Sequence, residues 1–496
     1  MRAFIKMLFI SIVALFVFIP SALADNSVTR VDGKTRYSTA VNAAKKGWTT
    51  ANTVVLVGKT AYADALSSVP FAKQKDAPVL YTNKDNLSPE TKSGLKSLKT
   101  KKVIIIGGQS NISNKVANQL KSMGISVSRI AGKTRYDTAT LIAKQMKITN
   151  VAIVANGFAY ADTVAISPYA AKMGYPILLT NSKGLQSVTA SYLKNRGIKQ
   201  TIVIGGESRV NKATFNKLPS PTRVGGATRY DTAANVVRKY NMSTNNTFIS
   251  NGFAYADSVS GASLAAKQGK AFIFTNDKSL PTPTRKIIGE KKITRFSAIG
   301  GTTVISSNVL SQLKNPVVGK KVFIDPGHGA HDAGAIGYGL LEKNVNLDVS
   351  KRLNSKLINA GALTSLSRTK DTYDTLEQRV IKGANAKADI FISVHANSND
   401  NSSANGTETY YDKTYAATNS LKLAQNIQPK MVSALGTRDR GVKIAGFYVI
   451  KKSKMPSVLL ETGFVSSPVD SNILKSATYK DRLASGIASG VSGYFK

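Results

Sequence analysis

Hydrophobic positions along this chain recur in two patterns. Short apolar runs, among them Val54-Val55-Leu56-Val57, Pro78-Val79-Leu80-Tyr81 and Val103-Ile104-Ile105-Ile106, alternate with amphipathic stretches. One such stretch, 114–123, carries Val116, Leu120 and Met123 on one helical face. Continuous apolar strands separated by helices predict mostly parallel sheets covered on both faces, an α/β fold. The alternation resumes past residue 316, with strand-like runs at 321–324, 389–394 and 457–460. A helical pattern opens there at Glu342, with Val345, Val349, Leu353 and Leu357 spaced by four. The first residues follow neither pattern. Arg2 and Lys6 precede an apolar run from Met7 to Ile19, then Pro20 and Ala22-Leu23-Ala24, which predicts a secretory signal peptide over 1–24. The run falls short of the roughly 20 residues that span a bilayer, so an exported chain without a transmembrane anchor after cleavage is expected.

Overlaid on the hydrophobic pattern is a repeat. RVDGKTRYSTA begins at Arg30, RIAGKTRYDTA at Arg129 and RVGGATRYDTA at Arg223. Each copy is followed by AYAD (from Ala61, Ala159 and Ala254), by a strand-like run closed with Thr-Asn, and by an apolar run closed with Gly-Gly (Gly107, Gly205, Gly300). A period near 95 residues is too long for a solenoid unit and suits a small complete domain. The expected boundaries are 25–124, 125–219 and 220–315 for three repeats and 316–496 for a last domain. Gly-Gly at a strand end fits a tight turn. No glycine pattern opens a helix with an acid about 20 residues on, which argues against dinucleotide binding. The recurrent Arg-Tyr pairs at 36–37, 135–136 and 229–230 allow two readings: an anion site at a helix start, or a scaffold in which arginine pairs with buried Asp64, Asp162 or Asp257 while tyrosine packs. The scaffold reading is preferred, since repeats share scaffold more readily than ligand chemistry.

Charge narrows the setting. The 496 residues carry 68 Lys+Arg against 28 Asp+Glu, a net charge of +40, and no cysteine. Disulfides and thiolate metal sites are thereby excluded. Such an excess calls for a polyanionic partner, and export makes nucleic acid the wrong one. Residues 25–315 hold 42 basic and 13 acidic residues, a net +29, against +9 over 316–496. The repeats are thus the expected contact with an anionic cell-wall polymer.

All three histidines lie in the last domain. Strand-like 321–324 leads into Asp325-Pro326-Gly327-His328-Gly329, 389–394 into His395-Ala396-Asn397, and 457–460 into Glu461-Thr462-Gly463-Phe464. Carboxyl ends of strands in an open α/β sheet converge on a ligand crevice. His328, Glu342 and His395 would supply three N/O ligands to zinc and leave a position open, with Glu461 free as a base.

The three repeats resemble the type 2 cell-wall-binding repeats, which occur as triplets on exported proteins of Gram-positive bacteria. Repeat 1 departs in having Lys59-Thr60 where the others have Gly157-Phe158 and Gly252-Phe253. The DPGHG, VHAN and ETGF segments, with Glu342 in register, resemble the zinc-dependent N-acetylmuramoyl-L-alanine amidases over about 320–494. That resemblance implies Zn2+ on His328, Glu342 and His395, catalysis by Glu461, and a peptidoglycan substrate cut between the lactyl group and L-alanine. It also aligns Arg379 and Asn385, for which a scaffold role is expected, and leaves His331 as a rim residue. A secreted, wall-associated autolysin follows. A zinc peptidase acting within the stem peptide, or a non-enzymatic wall-anchored surface protein, stays open on the residues alone.

Overall fold

The computed structural model describes residues 26–60 and 62–496. The expected signal peptide, 1–24, lies outside the described residues. The chain is α/β throughout, with three four-stranded parallel sheets followed by a six-stranded mixed sheet.

The first sheet runs Val79–Thr82, Thr53–Gly58, Lys102–Ile106, Ser126–Ile130. The second runs Ile177–Thr180, Val151–Asn156, Gln200–Ile204, Pro221–Val224. The third runs Lys270–Thr275, Ser243–Asn251, Arg295–Ile299, Ser27–Val31. In each, one edge strand carries the opening signature of another repeat: Arg129 sits in the first sheet, Arg223 in the second and Arg30 in the third. A repeat is therefore not the self-contained unit its period suggests. The cause is local connectivity. Lys102–Ile106 passes through the helix Asn114–Ser122 into Ser126–Ile130, and such a crossover lays the new strand beside its predecessor. Among the described residues no strand precedes Ser27–Val31, and it takes the equivalent edge beside Arg295–Ile299, pairing Ser27 with Arg295 through Val31 with Ile299. The three repeats so close into a ring.

Local chemistry starts each repeat in the same way. Helices Arg36–Gly47, Arg135–Lys144 and Arg229–Lys239 are N-capped by Thr35, Thr134 and Thr228, with Ser38, Asp137 and Asp231 closing reciprocal capping boxes. The second signature brings Tyr62, Tyr160 and Tyr255 together, their ring centroids 5.8–6.3 Å apart and edge to face. The third explains itself sterically. Gly107, Gly205 and Gly300 have φ of +105°, +97° and +120°, and a Cβ there would stand 2.5, 2.8 and 3.1 Å from an oxygen of Asp64, Asp162 and Asp257.

The preferred reading of the Arg-Tyr pairs needs one correction. Tyr37, Tyr136 and Tyr230 do pack against the core. The arginines, however, donate to carbonyls, Arg36 to Lys59 (3.2 Å), Arg135 to Gly157 (2.6 Å) and Arg229 to Gly252, with Arg229 also donating to the Tyr160 hydroxyl (3.4 Å). They attract the aspartates across the repeat boundary, Arg135 acting on Asp64, Arg229 on Asp162 and Arg36 on Asp257, and none of these is a closed ion pair among the described residues.

The last sheet has the order Leu363–Leu366, Lys321–Pro326, Ile390–Asn397, Ser457–Phe464, Thr407–Tyr411, Asp439–Ile444. Its first four strands are parallel, and Thr407–Tyr411 runs against Ser457–Phe464. Helices Glu342–Asn359, Ala417–Leu435 and Ala477–Tyr494 cover one face through Val345, Val349, Leu353, Leu357 and their partners. The other face packs Phe323 and Phe391, stacked at 5.2 Å, against Val449 and Ile450. No described helix is long and apolar enough to cross a membrane.

Candidate active site

Three adjacent parallel strands and one helix start build the site. His328 follows Lys321–Pro326, His395 lies in Ile390–Asn397 and Glu461 in Ser457–Phe464, where it pairs in register with His395. His395 and Glu461 thus sit within the last residues of their strands rather than beyond them, because the ladder continues to Asn397 and Phe464. Glu342 is the first residue of its helix, as its sequence pattern predicts.

Their side chains converge. One ligand atom each from His328, Glu342 and His395 lies within 4.8 Å of the others. Glu342 Oε1 is 3.2 Å from His328 Nε2 and 2.9 Å from His395 Nδ1. Backbone N–H groups fix the carboxylate: Ala335 donates to Oε2 (2.8 Å) and Ala396 to Oε1 (3.2 Å), and Asn346 Nδ2 adds a bond to Oε1 (3.2 Å). His328 has φ +61° and is oriented through Nδ1 by Asp332 at 2.8 Å. Burial opposes the charge of Glu342, but hydrogen bonds and charge from His328 and His395 hold its carboxyl well below the ordinary range. Glycine makes the approach possible. A Cβ on Gly327 would lie 2.2 Å from the His395 ring, and one on Gly334 2.6 Å from Glu342 Oε2.

Glu461 is 9% exposed, and its Oε2 is buried without a hydrogen-bond partner. Burial first, then the charges of Glu342 and Glu408, push its carboxyl well above the usual range. Two imidazoles and a carboxylate converging with an orphaned carboxylate oxygen nearby form an N/O donor set suited to a catalytic metal with an open position.

The remaining sequence-selected residues stand apart from this group. Arg379 is buried and supports the loop, donating to Asp325 (2.8 Å), to the Pro326 carbonyl (2.6 Å) and to the His328 carbonyl (3.0 Å). Asn385 is exposed in the last turn of Leu376–Asn385. His331 is exposed at the rim, 4.3 Å from the Tyr373 ring. Asp332, Asn346 and the Ala335 amide were not singled out by sequence. The signals that could have found two of them are local: Asp332 stands four residues past His328, and Asn346 four past Glu342 on the same helix.

Comparison with known proteins agrees with both halves. Residues 322–493 match the N-acetylmuramoyl-L-alanine amidase family, and 30–117, 129–215 and 223–310 match cell wall binding domain 2. The chain is 55% identical to the N-acetylmuramoyl-L-alanine amidase LytC of Bacillus subtilis (strain 168) over 496 residues, covering 100% of both chains. It is 37% identical to the amidase enhancer of the same organism over 287 residues, 57% of this chain and 40% of that one. Among solved structures, Cwp6 from Clostridium difficile aligns with TM-score 0.58 at 28% identity, over 95% of this chain and 80% of that one. With repeats and catalytic domain matched together along its whole length, the chain belongs to the cell-wall N-acetylmuramoyl-L-alanine amidases, which hydrolyse the bond between N-acetylmuramoyl groups and L-alanine in peptidoglycan.

Proposed function

We propose that this amidase is zinc-dependent, with His328, Glu342 and His395 as metal ligands and Glu461 as the catalytic carboxylate, and that residues 25–315 hold it to an anionic polymer of the wall after export. The observation that carries the reading is the convergence of three donor atoms within 4.8 Å beside an unpartnered carboxylate oxygen. Bound zinc would supply Lewis acidity and an activated water. The protein does the rest. Asp332 sets the orientation of the His328 imidazole, and the Ala335 and Ala396 amides keep Glu342 aimed at both histidines. Glu461, lacking a competing hydrogen bond at Oε2, takes the proton of the attacking water and returns it to the departing L-alanine amine.

Chelation is expected to abolish release of L-alanine amino termini from peptidoglycan, and zinc to restore it. Glu461→Gln is expected to retain zinc while the rate falls by about 10²–10⁴. Full activity in metal-free protein, or a rate within a few-fold of wild type in Glu461→Gln, overturns the assignment. For the repeats, exposed charges are screened over roughly 8 Å at physiological salt and about 3 Å at 1 M. High salt is therefore expected to strip the protein from intact walls, and equal binding at 1 M salt refutes an electrostatic attachment.

A further inference from the structure

We propose that the cavity between the second and third repeats is a binding site for one sugar residue bearing a phosphate or carboxylate group, and that the two other repeat junctions lack it. This rests on the reading that the repeats grip an anionic wall polymer, and it adds where one unit of that polymer is recognised.

The cavity measures about 370 Å³ and is walled by Phe158 and Asp162 of the second repeat, Arg229 and Phe253 of the third, and Arg209. That volume lies in the range of small-ligand sites, roughly 300–1,000 Å³. Phe158 and Phe253 are 57% and 66% exposed, and no other phenylalanine among the described residues of the repeats is exposed. Both line this one cavity. Neither ring is loose. The Phe158 and Phe253 amides donate to Asn156 and Asn251 Oδ1 at 2.8 Å, and Arg135 and Arg229 lie under the rings at 4.0 and 3.9 Å. Two apolar faces held rigid in water at one cavity mark a ligand surface rather than scattered exposure. The C–H face of a pyranose is the apolar face that fits such rings, while its hydroxyls need polar groups between them. Asp162, 8% exposed, is an acceptor there, and Arg229 brings positive charge.

Comparison of the repeats isolates the junction. The residue four past the first glycine of Gly-Gly is Asn111, Arg209 or Val304. Asn111 donates to Asp64 at 2.7 Å, and Val304 leaves Asp257 Oδ1 buried without a partner. Arg209 is exposed, and its guanidinium has no hydrogen-bond partner among the described residues, although its charge acts on Asp162. A free guanidinium at the mouth is suited to paired hydrogen bonds with phosphate or carboxylate. The smaller cavity between repeats one and two, about 260 Å³, has Thr60 in the place of the first phenylalanine. At the junction of repeats three and one, Lys59-Thr60 again replaces Gly-Phe and valine replaces arginine. Only the second junction combines two phenylalanines with a free arginine.

The test is sedimentation of the full-length protein with purified cell walls, as a concentration series at 0.15 M and 0.5 M salt. Phe158→Ala/Phe253→Ala and Arg209→Met are each expected to weaken apparent wall affinity by about tenfold or more. Phe158→Tyr/Phe253→Tyr is expected to stay within about twofold of wild type, and thermal unfolding reports whether each variant is folded. Folded alanine and methionine variants that bind like wild type, while salt still releases them all, overturn the site and leave the electrostatic reading standing. Salt-independent binding by the wild type itself overturns that reading instead. Walls with phosphodiesters cleaved, and walls with carboxyls blocked by carbodiimide, identify the anion. Loss of the difference between wild type and Arg209→Met on one of them names phosphate or carboxylate, and persistence on both refutes an anionic ligand.

Discussion

At the residue scale, the site depends on side chains that are absent as much as on those that bind. Gly334 has φ +66° and leaves room that a methyl would take from Glu342 and His328. Gly334→Ala is expected to weaken metal binding and activity and also to lower the thermal midpoint, because alanine is strained at that φ, read by elemental analysis beside a melting curve. Arg379 is different, because it is buried with Asp325 in an ion pair at 2.8 Å, both side chains almost fully enclosed. Removing one partner of such a pair costs about 3–5 kcal/mol. Arg379→Met is therefore expected to destabilise the amidase domain on that scale in denaturant unfolding. His328, Glu342, His395 and Glu461 were legible in the sequence because each follows a strand-like run or opens a helix, a placement that brings strand ends into one crevice. Asp332 and the Ala335 amide were not, since their contacts depend on how the loop between His328 and Glu342 folds back, whereas Asn346, one turn past Glu342 on its own helix, was within reach of the spacing argument.

At the element scale, the Thr-Arg-Tyr helix starts show local chemistry acting alone. Thr134 and Thr228 accept from the amides of Asp137 and Asp231, whose carboxylates bond back to the cap amides at 2.9 and 3.0 Å. Thr134→Ala is expected to cost about 1 kcal/mol in unfolding free energy, with wall binding and hydrolysis kept. These helix starts, and the amphipathic helix from Glu342, could be read directly from spacing. The strand Thr407–Tyr411 could not. It carries Glu408, buried and bonded to Asn397, Tyr410 and Arg440 at 2.8–2.9 Å, and it runs opposite to its neighbour. Strand direction is set by the chain path between elements, which a hydrophobic pattern does not encode.

At the scale of the whole molecule, the pairing of Ser27–Val31 with Arg295–Ile299 joins the first repeat to the third. Deleting residues 26–31 would leave the Arg295–Ile299 edge unpaired, so this deletion is expected to lower the melting temperature of the repeat region as a unit rather than loosen one repeat. Ring packing also creates a pH dependence. Burial, against the pull of Arg36 and Thr39, pushes the Asp257 carboxyl from 3.8 up to about 6. The folded form therefore holds the proton more tightly than the unfolded one, so this contribution is full below 3.8 and is lost as pH rises through 6. At ~1.4 kcal/mol per unit the window is worth about 3 kcal/mol. Asp257→Asn is expected to gain about that much stability over wild type between pH 4 and pH 7, and a constant difference across that range refutes the burial argument. The sequence by itself determined the repeats, the α/β class, the excess of positive charge and the four residues that line the candidate site, because periodicity, composition and strand-end position are local properties. Only the tertiary structure decided that each sheet is completed by another repeat, that the arginines bond carbonyls in place of aspartates, and that two exposed phenylalanines and Arg209 come to line one inter-repeat cavity. Those outcomes depend on which distant edges meet and how far a side chain reaches once they do, and neither is written at any one position of the chain.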